Sequence, residues 1–185
     1  MHTIGENYHI YNRGAHKALI FHDKSDYERF LNLMYSKNRL ENSVLSRSTL
    51  VDIFAYCLMP NHFHIGIKEI HERGTERFIH RLCTAYVMYY NRKYKHSGTI
   101  FQGQYKHKHV HNDEYLQYLI QYIHLNPFGI DEPDLMKTAK SEYLNEAVGV
   151  SKKYEYSSFR DYLGEQRPQR NILCPGLPST RVGLG

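Results

Sequence analysis

The sequence predicts an α+β protein with a ferredoxin-like split βαβ antiparallel sheet, helices on one face and one extra C-terminal helix. Three observations support this fold. The predicted elements follow one another as strand, helix, strand, strand, helix, strand, helix. Apolar residues alternate in the predicted strands and recur at helical spacing in the predicted helices. A Pro-Asn pair separates two apolar runs, which indicates a hairpin.

The first two elements are a strand and a helix. The stretch YHIYNRG, residues 8–14, alternates and ends in turn residues, which predicts a strand running into a loop. A helix is expected over residues 25–40, where apolar side chains recur at helical spacing. Ser25 and Glu28 are three residues apart and have the pattern of a capping box, so we expect the helix to begin there.

A hairpin and a second helix come next. Residues 51–59 and 62–68 read as two strands joined by a turn at Pro60 and Asn61. Residues 75–94 have apolar side chains along one side, which predicts a helix of about five turns.

The last strand and helix of the predicted domain lie in residues 98–126. Residues 98–111 read as a loop followed by a fourth strand. Asn112 is a plausible N-cap for a third helix, which should end near residue 126 because Pro127 disfavours helical geometry in the residue before it.

The composition describes a globular chain with one main domain. The chain has 185 residues, of which 41% are hydrophobic and 23% charged, so it is long enough to bury a sizeable core. We predict a domain over residues 1–130, an extension packed on it over residues 131–164, and a flexible tail over residues 165–185, which is rich in proline and glycine.

The sequence indicates a reducing compartment and no membrane segment. The three cysteines, Cys57, Cys83 and Cys174, form no CxxC pair and no even framework. No apolar stretch approaches the ~18–20 residues of a membrane span, and the N-terminus lacks the apolar core of a signal peptide. We therefore expect a cytoplasmic protein.

The charge favours a polyanionic partner. The formal net charge is +5, and lysine and arginine residues are interleaved with many of the 17 tyrosines. Basic groups attract phosphates and aromatic rings stack on bases, which is the combination that single-stranded nucleic acid requires. The alternative is a surface that is merely basic and rich in tyrosine.

Two histidines lie one residue apart in the run PNHFHIGI, directly after the predicted turn. Because side chains alternate along a strand, His62, His64, Gly66 and Lys68 share one face, and apolar side chains occupy the other. Two neutral imidazoles at this spacing can bind one divalent cation, and the missing side chain at Gly66 leaves room for a ligand. The alternative is a sheet whose second face is simply polar.

A second histidine cluster lies in HKHVH, where His107, His109 and His111 alternate along the predicted fourth strand. Three histidines outnumber two as metal ligands. However, Lys108 and Val110 between them give this strand no consistently apolar back face. The pattern favours an edge strand whose histidines meet phosphates, with a metal site as the alternative.

The third predicted helix carries Tyr122 and Asn126, which are four residues apart and share one helical face. Leu116, Leu119 and Ile123 should hold this helix against the sheet, so that Tyr122 borders the histidine pair. A tyrosine hydroxyl becomes an effective nucleophile when a metal ion polarises the phosphate it attacks, and the Asn126 amide oxygen adds a hard third ligand. Alternatively, Tyr122 is a core tyrosine and Asn126 ends the helix.

Several ordered stretches resemble the IS200-like single-tyrosine transposases of the HUH superfamily. These are PNHFHIGI, YYNRKY followed by GTIFQGQYK, and YLQYLIQYIHLNPF. YHIYNRG and YEYSSFRDYLG are similar to the REP-associated branch of that family. The resemblance extends over about residues 8–164.

The resemblance implies a metal-dependent single-stranded DNA endonuclease and transesterase that acts at hairpin, REP-like DNA. It implies His62 and His64 as ligands of Mg²⁺ or Mn²⁺, Asn126 as a third polar ligand, and Tyr122 as the nucleophile on a catalytic helix. Attack on a phosphate leaves a 5′-phosphotyrosine and a free 3′-hydroxyl, and another 3′-hydroxyl can reverse the step without ATP. Insertion-sequence members are dimers in which the tyrosine can act in trans, whereas REP-associated members can act as monomers, so a homodimer stays an alternative.

The sequence departs from the family pattern at a few positions. Gln104 stands where these proteins often carry arginine, the alternating histidines of HKHVH belong to no family motif, and the last twenty residues have no counterpart. Tyr118 is a competing nucleophile because it lies four residues before Tyr122 on nearly the same face. The basic residues expected to hold the DNA backbone are Arg13, Arg92, Lys93, Lys95 and Lys106.

Two other functions stay open at the level of the sequence. The chain could be a non-catalytic, domesticated transposase that binds DNA hairpins. It could also be a structural metal-binding protein that uses the histidines at 107, 109 and 111.

Overall fold

The computed structural model describes residues 2–40, 48–129 and 141–176, and its centre is a four-stranded antiparallel sheet. The strands are β1 (Asn7–Arg13), β2 (Val51–Met59), β3 (His62–Glu69) and β4 (Lys106–Val110), in the spatial order β2-β3-β1-β4. The helices are α1 (Lys24–Lys37), α2 (Gly74–Tyr94), α3 (Asp113–Leu125), α4 (Ser141–Lys153) and α5 (Phe159–Tyr162). Short 3-10 helices span Ala15–Lys17, Asn126–Phe128 and Pro168–Ile172. No helix among the described residues is long and apolar enough to cross a membrane.

One face of the sheet carries the main hydrophobic core, as the alternation in β3 predicts. Phe63, Ile65 and Ile67 are fully buried there. The ring of Phe30 in α1 lies 5.2 Å from that of Phe63, and Leu82 of α2 belongs to the same cluster. Helices α1 and α2 therefore cover this face, and the alternate residues of β3 point to the other one.

Helix α3 lies on the opposite face. Leu119 and Ile123 are buried in a second cluster with Ala55 of β2. Asn112 is the N-cap, as predicted, and its side chain accepts a hydrogen bond from the backbone N–H of Tyr115. The predicted α+β fold, with helices on one face of the sheet and an extra helix, is confirmed.

The start of α1 differs from the predicted capping box. The N-cap is Asp23, and Asp23 and Asp26 each accept a hydrogen bond from the other's backbone N–H. Ser25 instead donates its hydroxyl to Asp23 Oδ1. Asp26 is fully buried, and donors from α2, including the Tyr94 hydroxyl, satisfy its carboxylate. This tertiary contact selects the earlier cap.

The space beside Gly66 is occupied by a side chain of the protein. The β2–β3 register shifts between Ile53 and Ala55, and this irregularity accompanies the placement of the Phe54 ring over Gly66. A Cβ atom at position 66 would overlap that ring. The interpretation that Gly66 leaves room for a ligand is therefore wrong: the glycine accommodates Phe54.

The C-terminal extension covers the outer edge of β2. The backbone N–H of Leu58 donates to Tyr156 O at 2.9 Å, and that of Ser158 donates to Tyr56 O at 2.9 Å. Farther along, Cys174 N–H donates to Ile53 O at 2.8 Å. These bonds satisfy backbone groups that would otherwise form an open sheet edge.

The segment predicted to be a flexible tail is packed over its described part. Residues 165–176 include a 3-10 helix, and the Ile172 and Leu173 side chains are buried in the main core. Two adjacent buried side chains and irregular backbone hydrogen bonds hold this segment in place. Neither produces the repeating apolar pattern of a helix or strand, so the sequence shows no sign of the packing. The domain boundary predicted at residue 130, residues 131–140 and residues 177–185 lie outside the described residues.

Candidate active site

The register of the sheet collects polar side chains on the face covered by α3. His62 lies opposite Arg13, His64 opposite Tyr11, and Gly66 opposite His9. Residues directly opposite each other in an antiparallel pair point to the same face. The alternating polar residues of β1 therefore extend the histidine pair of β3 into a wider site.

Each ring nitrogen of His62 contacts the side chain of an asparagine. Nδ1 lies 2.6 Å from Oδ1 of Asn61, the turn residue directly before β3. Nε2 lies 3.1 Å from Oδ1 of Asn126, which follows the last residue of α3. The predicted first and third ligands, from β3 and α3, are thus in direct contact.

His64 is paired with a residue that the sequence analysis did not single out. Its Nδ1 lies 2.8 Å from Nε2 of His9 in β1, and both side chains are buried. Burial lowers the pKa of His64 well below its ordinary value, and the nearby His9 and His62 add to this effect. Burial, helped by Lys108, lowers the pKa of His9 to about 3. His9 and His64 are therefore neutral at neutral pH, the form in which histidine binds metals.

Tyr122 lies against the histidines from the α3 side. Its ring is edge-on to His64 at 5.5 Å between centroids and to His9 at 5.9 Å. The side chain is buried, with 8% of its surface exposed. The helical spacing of four residues places Asn126 one turn farther along, at His62. The structure thus brings together all four residues predicted from the two motifs.

The donor set fits a divalent cation. His62 and His64 offer imidazole nitrogens and Asn126 offers an amide oxygen, a mixed set that suits Mg²⁺ or Mn²⁺ when water and phosphate oxygens complete it. The 3.1 Å between His62 Nε2 and Asn126 Oδ1 is close to the ~3 Å that separates adjacent ligands bound at ~2.1 Å. No three His, Cys, Asp or Glu side chains in the described ranges converge as metal ligands, so the amide oxygen is needed as the third donor.

A basic pocket of about 820 Å³ opens beside the site. Arg13 and Lys106, two of the predicted DNA-binding residues, line it together with Lys17. Arg13 is oriented by Gln102, whose Oε1 accepts a hydrogen bond from its Nε at 2.5 Å. Gln104, which stands where the family often has arginine, lines the same pocket. Lys17 was missed because it follows an irregular turn with no periodic signal.

Comparisons with known proteins identify the family and the fold of the chain. The model of the family described as "Transposase IS200 like" matches residues 6–126. The chain belongs to the IS200-like transposase family. A solved structure, the REP-associated tyrosine transposase bound to a REP hairpin, superposes with a TM-score of 0.57 at 12% identity, covering 100% of this chain and 93% of that one. At that identity the likeness shows a shared fold. No curated protein sequence matches the chain.

Lys93 has a structural partner in this IS200-like protein. Its Nζ lies 2.7 Å from Asp23 Oδ2 and 2.7 Å from Asp26 Oδ1, and the Asp26 side chain is fully buried. This ion pair ties the end of α2 to the start of α1. The charge of Lys93 is used within the fold, which favours a structural role over the predicted DNA contact. Arg92 and Lys95 are exposed near the same helix end and do not line the basic pocket.

The histidines of HKHVH in β4 do not form one cluster in the IS200-like fold. His109 Nε2 lies 2.7 Å from Glu6 Oε2, and the His111 ring stacks on Tyr115 at 5.2 Å. The ring of His107 contacts His2 at 4.7 Å. His107 and His109 share Tyr8 as a neighbouring ring but differ in their other partners. The register places Lys106 and Lys108 of this strand, and not His107 and His109, on the side of the site. The alternative of a three-histidine metal site gains no support.

Tyr118, the competing nucleophile, differs from Tyr122 in its surroundings. Its ring lies 6.0 Å from that of Tyr115, and its hydroxyl oxygen is buried. The Tyr122 ring lies 5.5 Å from that of His64. The contact with the histidine pair therefore favours Tyr122 as the residue placed for chemistry.

Proposed function

We propose that this protein is a metal-dependent single-stranded DNA endonuclease and transesterase that acts at hairpin, REP-like DNA. The observation that carries the proposal is the junction of β3 and α3. His62 Nε2 and Asn126 Oδ1 are 3.1 Å apart, and the Tyr122 ring contacts His64 in the same chain. Membership of the transposase family supports the reaction class.

His62, His64 and Asn126 would hold the Mg²⁺ or Mn²⁺ ion. When bound, the ion supplies positive charge that polarises the phosphate and stabilises the charge that develops on it. Asn61 supports this arrangement by accepting a hydrogen bond from His62 Nδ1, which leaves Nε2 to bind the ion.

Tyr122 supplies the nucleophile. Its hydroxyl oxygen forms a bond to the phosphorus while the bond from phosphorus to the 3′ oxygen breaks. The departing 3′ oxygen takes up a proton, and the proton of the tyrosine hydroxyl is released. The 5′-phosphotyrosine retains the energy of the phosphodiester, so a 3′-hydroxyl can reverse the reaction and join strands. In the described conformation the Tyr122 side chain is 8% exposed.

The basic pocket is the proposed path of the DNA strand. Arg13, Lys17 and Lys106 line it and can neutralise phosphates beside the histidines. The structural neighbour was solved with a REP hairpin, which supports a hairpin as the form of DNA bound here. Exposed Arg92 and Lys95 stay candidates for contacts outside the pocket. Action on such DNA would place the protein in the cytoplasm of a bacterial cell, at the nucleoid.

The decisive experiment traps the covalent intermediate. Wild-type protein, Tyr122→Phe and Tyr118→Phe are incubated with end-labelled single-stranded hairpin DNA and Mn²⁺. We expect wild type and Tyr118→Phe to cleave and to form an adduct mapped to Tyr122, and Tyr122→Phe to form none. Equal cleavage by wild type and Tyr122→Phe would refute the nucleophile assignment. Hairpin binding without cleavage by any variant would instead favour the non-catalytic, domesticated binding protein.

A further inference from the structure

The two histidines of the β3 pair share one arrangement of ring nitrogens. Nδ1 of His62 contacts Asn61 Oδ1 at 2.6 Å, and Nδ1 of His64 contacts His9 Nε2 at 2.8 Å. In both histidines a partner from the protein therefore engages Nδ1. His62 Nε2 faces Asn126 Oδ1, the third predicted ligand, so we assign Nε2 of each histidine to a ligand bound between the strand and α3.

The position of one proton in the His9–His64 pair decides whether His64 can bind a metal through Nε2. A neutral imidazole carries one proton, and it binds a metal through the nitrogen without it. If His9 donates to His64, the proton of His64 lies on Nε2 and blocks that nitrogen. If His9 accepts, the proton of His64 lies on Nδ1 and Nε2 keeps its lone pair.

We propose that His9 is a positioning residue that accepts the Nδ1–H hydrogen bond of His64 and so presents His64 Nε2 to the divalent cation. This inference rests on the proposed function. Asn61 has the same role for His62: its amide oxygen can only accept, which favours the His62 proton on Nδ1, and the Nε2 lone pair then faces Asn126 Oδ1, an arrangement that a cation bound between the two would stabilise. By accepting from His64 Nδ1, His9 gives His64 the same Nδ1–H tautomer as His62.

The packing around His9 fixes its ring. The rings of His9 and His64 lie 5.0 Å apart with a 25° angle between their planes. The Tyr11 ring stacks on the His9 ring at 4.9 Å between centroids, and the Tyr122 ring meets His9 edge-on at 5.9 Å. His9 is 7% exposed and His64 is 6% exposed, so water has little access to replace the acceptor. A partner that orients a ligating histidine typically changes metal affinity by about 10–100-fold when it is lost.

The test measures the tautomer and the metal affinity separately, without DNA. Long-range ¹H–¹⁵N correlation spectra of metal-free protein report which nitrogen of His64 carries the proton. We expect Nδ1–H in wild type and Nε2–H in His9→Phe, which keeps an aromatic ring but has no acceptor. Calorimetric titration with Mn²⁺ should show affinity about 10–100-fold lower in His9→Phe.

Two further variants separate this role from a structural one. His22→Phe removes a ring hydrogen bond of the same 2.8 Å length, to the Tyr90 hydroxyl, outside the site, and should leave the His64 tautomer and Mn²⁺ affinity unchanged. His9→Gln offers an amide oxygen as acceptor and should restore the Nδ1–H form and most of the affinity. It also serves as the informative variant if His9→Phe does not fold.

The outcomes distinguish this inference from the proposed function. A wild-type His64 with its proton on Nε2, or a folded His9→Phe with Mn²⁺ affinity within about twofold of wild type, overturns the role of His9. Failure of wild type to bind Mn²⁺ overturns the metal-dependent function itself, whereas the spectra still decide which way the His9–His64 hydrogen bond runs.

Discussion

At the scale of single residues, several side chains that look alike in the sequence have different roles. Lys93 and Lys106 are both basic residues close to tyrosines, yet Lys93 is paired with Asp23 and buried Asp26, whereas Lys106 lines the pocket beside the histidines. The difference lies in their neighbours across the fold. Removing a lysine from a pair with a buried carboxylate leaves that charge uncompensated and destabilises the protein, whereas a lysine at a pocket rim attracts phosphate.

Exchanging each of these lysines for methionine should separate stability from DNA binding. We expect Lys93→Met to lower the free energy of unfolding by about 1–2 kcal/mol, because the buried Asp26 carboxylate loses a hydrogen-bond donor. The loss is modest because the lysine side chain is itself partly exposed to water. Its affinity for single-stranded DNA should not change. Lys106→Met should leave the free energy of unfolding unchanged and weaken DNA binding. Its slope of log K against log salt should be smaller in magnitude by about 0.7. Urea unfolding and fluorescence binding titrations measure both, and weaker DNA binding by Lys93→Met would contradict the assignment.

Gly66 provides the second prediction for a single residue. Gly66→Ala should lower the free energy of unfolding by about 1–3 kcal/mol, because the new methyl group overlaps the Phe54 ring and forces it to move. Gly149→Ala is the matched control, since a Cβ there meets nothing within 4 Å and the residue lies in α4. This control should be neutral or stabilise by up to ~1 kcal/mol. Equal stability of Gly66→Ala and wild type in urea unfolding would show that the site is open.

At the scale of elements, α3 and the C-terminal extension complete what the sheet begins. The sheet alone presents His62, His64 and His9, and α3 adds Tyr122 and Asn126 from the other side. The extension then covers the edge of β2 through backbone hydrogen bonds. A helix packed on the sheet positions ligands more precisely than a loop could, because its side chains are held by the core on which it rests.

An ion pair between the extension and the segment that follows it should govern how firmly the two cover β2. Arg167 binds Asp161, and their side chains are 9% and 0% exposed. Arg167→Met leaves the Asp161 carboxylate buried without this partner, so we expect a loss of about 3 kcal/mol in stability. Adding Asp161→Leu should recover much of it, because both charges are then gone. Thermal and urea unfolding test this, and a double variant less stable than Arg167→Met alone would contradict it.

At the scale of the whole molecule, the site is complete within one chain. Tyr122 contacts His64 of its own chain, and Asn126 contacts its own His62. The outer edge of β2 is covered by the extension, which reduces its availability for pairing with a second sheet. We therefore propose that cleavage needs one chain, in contrast to an arrangement in which two chains exchange tyrosines.

Mixing two inactive variants tests catalysis within one chain. A protein with His62→Ala and His64→Ala is combined with Tyr122→Phe in equal amounts and given hairpin DNA with Mn²⁺. We expect no cleavage above that of either variant alone, because neither chain has both a metal site and a nucleophile. Recovery of cleavage in the mixture would show that a tyrosine and metal ligands from different chains can act together. Catalysis in trans within a homodimer requires this.

The fold follows from patterns that are local. The bounds of β2 match the predicted 51–59, and the α3 N-cap at Asn112 was predicted from residue type alone. Alternation and helical spacing are visible within ten to twenty residues because each element must present one apolar face to the core. His9 also had a local signal, since YHIYNRG alternates polar residues with Ile10, but without a register its partner strand was unknown.

The sequence by itself determined the order of elements, the common face of His62 and His64, and the pairing of Tyr122 with Asn126 along one helix. Only the tertiary structure decided that Phe54 fills the space at Gly66, that Lys93 serves Asp26, and that His9 holds His64. The reason is the distance along the chain: periodicity reports on neighbours within an element, whereas these contacts join residues 12, 67 and 55 positions apart. Such contacts depend on strand register and helix packing, which arise when the whole core assembles.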